Sequence, residues 1–324
     1  MRSQGFSAGE LGMKLHPIAK AALTLGLLAA PCLAQAPRAA QDHFNRGGSL
    51  YQKGDFEGAI ADFTKTIEIS SRLDNRNWQG GAGFGGAATN FDKVTVLDPL
   101  AAAAYANRGL ARYKLGDYEG AIADCDRALA INPRLYDAYN NRGVVRYALK
   151  DYDRAIVDYD RAIAINPRNA EAYNNRGSVY MDKEDLDRAL ADFDRAVALN
   201  PRLKDVYFNR GFARQAKGDG DGALKDFDKA VALDPRYASG YYGRAVALSD
   251  KDELERAVKE FNRAIELDPR YALAYGNRGL ALMRLGKDAE AVRDFERAVA
   301  LKPELKEELE LNIERARKWR QANR

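Results

Sequence analysis

From residue 102 onward, small and aromatic residues recur at helical spacing in repeats of 34 residues. At 100° per residue, positions 4, 8 and 11 of each repeat share one face of a helix, and positions 20, 24 and 27 share one face of a second. The first stripe carries Tyr105, Tyr139, Tyr173, Tyr207, Tyr241 and Tyr275, each followed four residues later by a small residue: Gly109, Gly143, Gly177, Gly211, Ala245 and Gly279. The second carries Ala121, Ala155, Ala189, Ala223, Ala257 and Ala291, then Cys125, Tyr159, Phe193, Phe227, Phe261 and Phe295. Each repeat therefore predicts two amphipathic helices, with large knobs on one set over small residues on the other. A Gly-Asp-Tyr turn at 116–118 separates the first such pair. Asn-Pro or Asp-Pro ends each second helix, because the residue before proline is pushed out of the helical region.

Prolines stand at 99, 133, 167, 201, 235, 269 and 303, at a constant interval. A fixed period of this size predicts a solenoid, in which each helix pair buries its apolar face against its neighbours. An aromatic at position 4, Gly at 8, Ala at 20, an aromatic at 24, Ala at 27 and Pro at 32 resemble the tetratricopeptide repeat. The resemblance covers residues 40–305 and implies an all-α, right-handed α-solenoid of stacked antiparallel helix pairs. Well-formed repeats are expected at 102–135, 136–169, 170–203, 204–237, 238–271 and 272–305. A divergent one is expected at 40–73, where Asn45, Arg46, Gly47, Ala59 and Phe63 keep the register. Residues 74–101 read as a degenerate repeat whose first helix is replaced by a glycine-rich stretch and whose second survives from Ala87 to Pro99. Residues 306–324 carry Leu309, Ile313, Ala316 and Trp319 on one stripe and are expected to cap the array.

The first 34 residues stand outside this pattern. Lys14 and Lys20, an apolar run from Ala21 to Ala30 and small residues up to Ala34 have the form of a secretory signal peptide, with Met13 as an alternative start. The apolar run is shorter than the ~20 residues that span a bilayer, so no membrane span is expected after cleavage. Pro31 before Cys32 is a poor context for lipidation of that cysteine. The expected location is therefore periplasmic or extracellular. Lys plus Arg number 51 against 47 Asp plus Glu. So small an excess supplies no long-range field for gripping nucleic acid.

Catalytic chemistry finds little support. Two Cys and two His leave no set of residues for a zinc cluster or a disulfide framework. Gly81, Gly83 and Gly86 match GxGxxG, but no apolar strand precedes them, so they read as loop. Asp219 and Asp221 beside Gly222 lack the remaining ligands of a calcium loop and sit in a turn between helices. Cys125 occupies the aromatic position 24 and reads as a buried core thiol. His43 takes the place of the Tyr at position 4. No enzyme activity, cofactor or metal is expected.

Two recurring polar positions remain. Arg108, Arg142, Arg176, Arg210, Arg244 and Arg278 stand at position 7, where tetratricopeptide repeats usually have Leu. Asp124, Asp158, Asp192, Asp226, Glu260 and Asp294 stand at position 23, on the matching flank of the second helix. A structural ion pair within each repeat is expected, since a half-buried Arg without a partner is costly. Asn107, Asn141, Asn175, Asn209 and Asn277 stand at position 6, with Gly243 as the exception. By angle they lie opposite the packed face, on what the resemblance makes the concave groove. The arrangement is similar to asparagine ladders with which repeat proteins of this family grip extended peptide backbone, since a carboxamide both donates and accepts. The alternative is a relic of duplication. Tyr113, Tyr147, Phe208, Phe212 and Tyr242 are expected to add contact area in the groove, and Asp137, Glu171, Asp205, Asp182 and Asp250 negative charge. The expected function is a protein-interaction scaffold that holds an extended, preferably basic, peptide or partner segment. The alternative is a chaperone-like or envelope-assembly factor holding transient clients.

Overall fold

The computed structural model describes residues 37–78 and 99–322. The signal peptide expected over 1–34 and nearly all of the degenerate repeat's proposed second helix lie outside the described residues. Within them the chain forms fifteen α-helices and no strand. Two compact units can be separated, one ending at Val179 and one beginning at Tyr180.

The first unit contains α1 (Arg38–Lys53), α2 (Phe56–Trp78), α3 (Pro99–Lys114), α4 (Tyr118–Ile131), α5 (Tyr136–Ala148), α6 (Tyr152–Ile165) and most of α7 (Ala170–Asp182). The second contains α8 (Leu186–Leu199), α9 (Lys204–Ala216), α10 (Gly220–Leu233), α11 (Ala238–Asp250), α12 (Leu254–Leu267), α13 (Ala272–Arg284), α14 (Asp288–Leu301) and α15 (Lys306–Ala322). From α1 to α6 and from α8 to α14 each helix packs on the next in sequence, α15 packs on α13, and α1 with α3, α3 with α5, α9 with α11 and α11 with α13 also touch.

Local chemistry sets the helix ends. Asp117, Asp151, Asp185 and Asp219 each accept a hydrogen bond from the backbone N–H three residues on, which caps α4, α6, α8 and α10. At the other end Asn132, Asn166, Asn200, Asp234 and Asp268 leave the helical region. Their side chains accept from the backbone N–H two residues later, across the proline. The turn inside each repeat needs a left-handed residue at position 15. Gly116, Gly218 and Gly286 supply it, but Lys150, Glu184 and Asp252 hold φ of 61°, 61° and 64° there. Lys150→Gly should therefore raise stability by about 0.5–1 kcal/mol, read as an increase in the urea midpoint. An unchanged midpoint would show that the turn carries no strain.

The knobs and holes predicted from the sequence meet. Phe227 is fully buried, and a Cβ on Gly211 would lie 2.7 Å from its ring. A Cβ on Gly243, one repeat later, would lie 2.5 Å from the same ring. Phe227 thus fills the space both within its own repeat and against the next.

The repeat of α1 and α2 is followed in space directly by that of α3 and α4. Arg108 Nη1 of α3 donates to Thr64 Oγ1 of α2 at 3.0 Å, and α3 packs against both α1 and α2. The described residues therefore place 40–73 and 102–135 in consecutive layers. At the C-terminal end, Leu305 in the short 3-10 turn Pro303–Leu305 and Leu309 and Ala316 on α15 are buried. Arg284 lies 4.4 Å over the Trp319 ring, and Arg320 pairs with Asp288 at 2.6 Å.

Candidate functional site

At position 7, Arg108, Arg142, Arg210, Arg244 and Arg278 form the ion pairs within a repeat that the sequence suggested. Arg108 donates through Nε and Nη2 to Asp124 at 2.9 and 2.7 Å, and Arg210 to Asp226 at 2.9 and 2.6 Å. Arg142 with Asp158 and Arg278 with Asp294 repeat the arrangement, while Arg244 gives both Nε and Nη2 to Glu260 Oε2. In the first repeat Arg46 and His43 converge on Asp62. The carboxylates at 124, 158, 226 and 294 are buried, so the fork satisfies groups that would otherwise be costly to desolvate. Arg176 and Asp192 belong to different units.

Each of these arginines has a further role absent from the sequence reading. The remaining Nη1 reaches position 25 on the second helix of the preceding repeat. Arg210 donates to Asp194 at 2.8 Å, Arg244 to Asp228 at 2.9 Å and Arg278 to Asn262 at 2.7 Å. Arg142 and Arg176 bond Asp126 and Asp160 in the same way. One guanidinium therefore fastens a helix pair and joins it to the layer before. Beneath it lies the position-4 tyrosine, with the guanidinium carbon 5.2 to 5.6 Å from the ring centre in six repeats. A second arginine at position 11 shares the carboxylate: Arg146 reaches Asp158 and Arg214 reaches Asp226, each at 2.8 Å. The run of Asp at position 25 was as visible in the sequence as that at position 23, and it was the signal for this contact.

The asparagines and most of the groove aromatics need correction. Asn107, Asn141, Asn175 and Asn209 are buried, not free groups on an open face. Asn175 Nδ2 donates to Asn140 Oδ1 at 3.0 Å, and Asn277 Nδ2 to the Tyr242 hydroxyl at 2.8 Å. In both cases position 6 reaches position 5 of the preceding repeat, so the carboxamide ties adjacent first helices together. Tyr147, Phe208, Phe212 and Tyr242 are also buried. Phe208 and Phe212 meet edge-to-face at 4.9 Å and both contact Phe227. Tyr242 stacks at 5.0 Å on Tyr271. The physical reason is the close spacing of the layers: a side chain that points away from its own partner helix is covered by the neighbouring repeat. Tyr113 and Asn277 remain half-buried.

The acidic residues expected in the groove stay at least partly accessible on the first helices. Asp137, Glu171, Asp182 and Asp205 are half-buried and Asp250 is exposed. Burial, with the charge of Glu171 adding to it, pushes the Asp137 carboxyl up to about 6. Among the described residues no cation pairs with Asp137. Asp205 accepts from the Tyr237 hydroxyl at 2.7 Å, and its carboxyl is also raised by burial.

Cys125 is fully buried and free, and burial pushes its thiol well above the ordinary range. Among the described residues no cluster of His, Cys, Asp and Glu could hold a metal ion, and no helix is long and apolar enough to cross a membrane.

Stacked helix pairs of this length, fastened by a residue pattern that recurs every 34 positions, define an α-solenoid. The chain belongs to the tetratricopeptide repeat family. Models described as tetratricopeptide repeat match residues 102–135, 170–203, 204–237 and 272–305, and one described as TPR repeat matches 145–183 and 247–286. No curated protein sequence matches the chain. A tetratricopeptide repeat protein from Parabacteroides merdae is similar in structure, with a TM-score of 0.60 and 20% identity over 86% of this chain and all of that one. Pseudomonas aeruginosa pilF gives 0.55 and 23% identity over 62% of this chain and 92% of its own. The complex Cut9-Hcn1 gives 0.62 and 14% over 85% of this chain and 55% of the other. At these identities the likeness concerns the fold alone.

Proposed function

We propose that the protein is a non-catalytic interaction scaffold that holds an extended, basic peptide segment along its first helices. The tetratricopeptide repeat fold is one suited to protein or peptide partners, and the observation that carries the finer reading is Asp137. A half-buried carboxylate beside a second acid, with no cation of its own, is a poor arrangement for the fold and a good one for a Lys or Arg side chain arriving from outside. In this reading the asparagines serve the groove indirectly, by keeping neighbouring first helices in register. Tyr113, in the same unit as Asp137, remains as a contact group.

The sign of the pH dependence follows. Because the Asp137 carboxyl titrates higher in the fold than in the unfolded chain, its charge destabilises the fold above pH 6, and this loss disappears as pH falls below about 4. Asp137→Asn should therefore raise the melting temperature at pH 7. The same change, combined with Glu171→Gln, should weaken binding of a Lys/Arg-rich peptide by about tenfold, and wild-type affinity should fall as pH drops through 6. Fluorescence anisotropy against a Glu-rich peptide of equal length supplies the control. A variant that gains stability and keeps its affinity for the basic peptide would sink the reading.

A further inference from the structure

In every repeat from 102–135 to 272–305, Nη1 of the position-7 arginine bonds position 25 of the repeat before it. The two ends of the array leave this contact open, each lacking the half that the other has. Arg46 of α1 holds Asp62 of its own repeat through Nε and Nη2, but among the described residues its Nη1 bonds nothing. Its side chain is 62% exposed, against 12 to 23% for the six arginines that follow. At the other end, position 25 is Glu296, which is exposed and has no ion-pair partner among the described residues. The last repeat is covered on one helix: α15 packs on α13 and meets α14 at its first residue, where Arg320 pairs with Asp288. In the arginine's register α15 carries Asn312, which is buried and whose amide makes no hydrogen bond. Val292, at position 21 of α14, is exposed, whereas the five residues at that position from Ile122 to Val258 are half-buried. Phe295, at position 24, keeps 7% exposure where Phe193, Phe227 and Phe261 have none.

We infer that the uncovered face of α14 takes α1 of a second copy of this chain, with Arg46 Nη1 on Glu296, so that copies associate head to tail. The occupant follows from complementarity of charge and register, since the two faces are the two halves of one contact that the array makes internally. Asp62 fixes the Arg46 guanidinium through two of its nitrogens, so little side-chain freedom is lost when the third finds a carboxylate. Position 6 of an interior repeat lies over position 24 of the repeat before, as the 2.5 Å from a Cβ on Gly243 to the Phe227 ring shows. Asn45, exposed at position 6 of α1, would lie over Phe295 in the same way. Asp42 and Ser49 are exposed at positions 3 and 10, where later repeats have buried Ala, Val or Gly. They keep this end solvated when it is free, so the association is weak and reversible rather than obligate. Because two different patches meet, the contact is heterologous, and repeating it gives a ring or an open chain of copies.

The test is sedimentation velocity on the full chain over a wide range of concentration. Wild type should associate as concentration rises at low salt and less so at about 0.5 M NaCl, where charges are screened within a few ångströms. Glu296→Lys sets a cation opposite Arg46 and should weaken association at least about tenfold with the circular dichroism spectrum unchanged, since like charges across an interface repel. Arg46→Lys keeps a cation for Asp62 but gives up the free arm, and should weaken association as well. Glu296→Lys retains an intact first repeat, so it should still dock on wild-type α14, and an excess of it should cut wild-type assemblies short. The same variant should bind the basic peptide as wild type does, because Asp137 and Glu171 are untouched, so failure of this inference and failure of the groove reading are distinguishable. The inference is overturned if wild type stays monomeric at low salt, or if Glu296→Lys associates as wild type does. It is equally overturned if Glu296→Lys does not join wild-type assemblies, which would make the contact one between identical patches.

Discussion

Phe227→Ala should destabilise the protein by about 3–5 kcal/mol, the range for removing a buried aromatic ring. The ring is fully buried, 5.1 Å from Phe212 and 6.1 Å from Phe208 between centroids, and set against Gly211 and Gly243. Both glycines are part of helices, so neither can collapse into the space without distorting its own hydrogen-bond ladder. The loss therefore removes a term within one repeat and a term between two. In an array whose stability is a sum of local and nearest-neighbour terms, such a loss should appear as local opening rather than as a uniform shift. Hydrogen exchange should accelerate first in α9, α10 and α11, and the urea transition should broaden. A change below about 1 kcal/mol would mean that the surrounding helices close over the cavity.

The elements and the core were legible in the sequence because both obey a period that survives in every well-formed repeat. A small residue at position 8 and a bulky one at position 24 state the packing directly, and Cys125, the one departure from bulk, is buried all the same. The intrarepeat bridges were legible for the same reason, since Arg at 7 and a carboxylate at 23 flank the two buried stripes. The open face was not. Helical angle assigns a residue to a face of its own helix, but whether that face meets solvent depends on how closely the next repeat approaches. Asn175 points away from its partner helix, as its position predicts, and still finds Asn140 of the neighbouring repeat. Phe208 and Tyr242 were read as exposed for the same reason. They are buried because consecutive first helices touch.

Contacts between layers were the part least available to a reading made one repeat at a time. Arg108 to Thr64 spans 44 residues, whereas the same contact elsewhere in the array spans 16. The difference of 28 residues is the length of 74–101, which in the sequence separates two repeats that are neighbours in space. A constant period hides such an interruption unless the polar position on the far side, 25, is followed as well as the one on the near side.

Arg210→Leu should cost about 3 kcal/mol, because it leaves the buried Asp226 carboxylate with one of its three arginine donors and strips Asp194 of its partner across the layers. The remaining donor to Asp226 is Arg214 Nη1 at 2.8 Å, so Arg210→Leu with Arg214→Leu should be worse than either change alone. Arg210→Leu with Asp226→Leu should be milder than the sum of the single changes by about 1–3 kcal/mol, since the double change removes the stranded charge along with its partner. A double-mutant cycle from urea denaturation measures both couplings. Replacing Asp194 instead should cost little, because it is exposed and an exposed pair contributes at most about 1 kcal/mol. If the Arg210 and Asp226 effects were additive, the two groups would not be coupled. The stability of the repeat would then come from the tyrosine platform and the aromatic core alone. If the Asp194 change cost as much as the Asp226 change, the bond between layers, and not the one within the repeat, would be the principal task of the arginine.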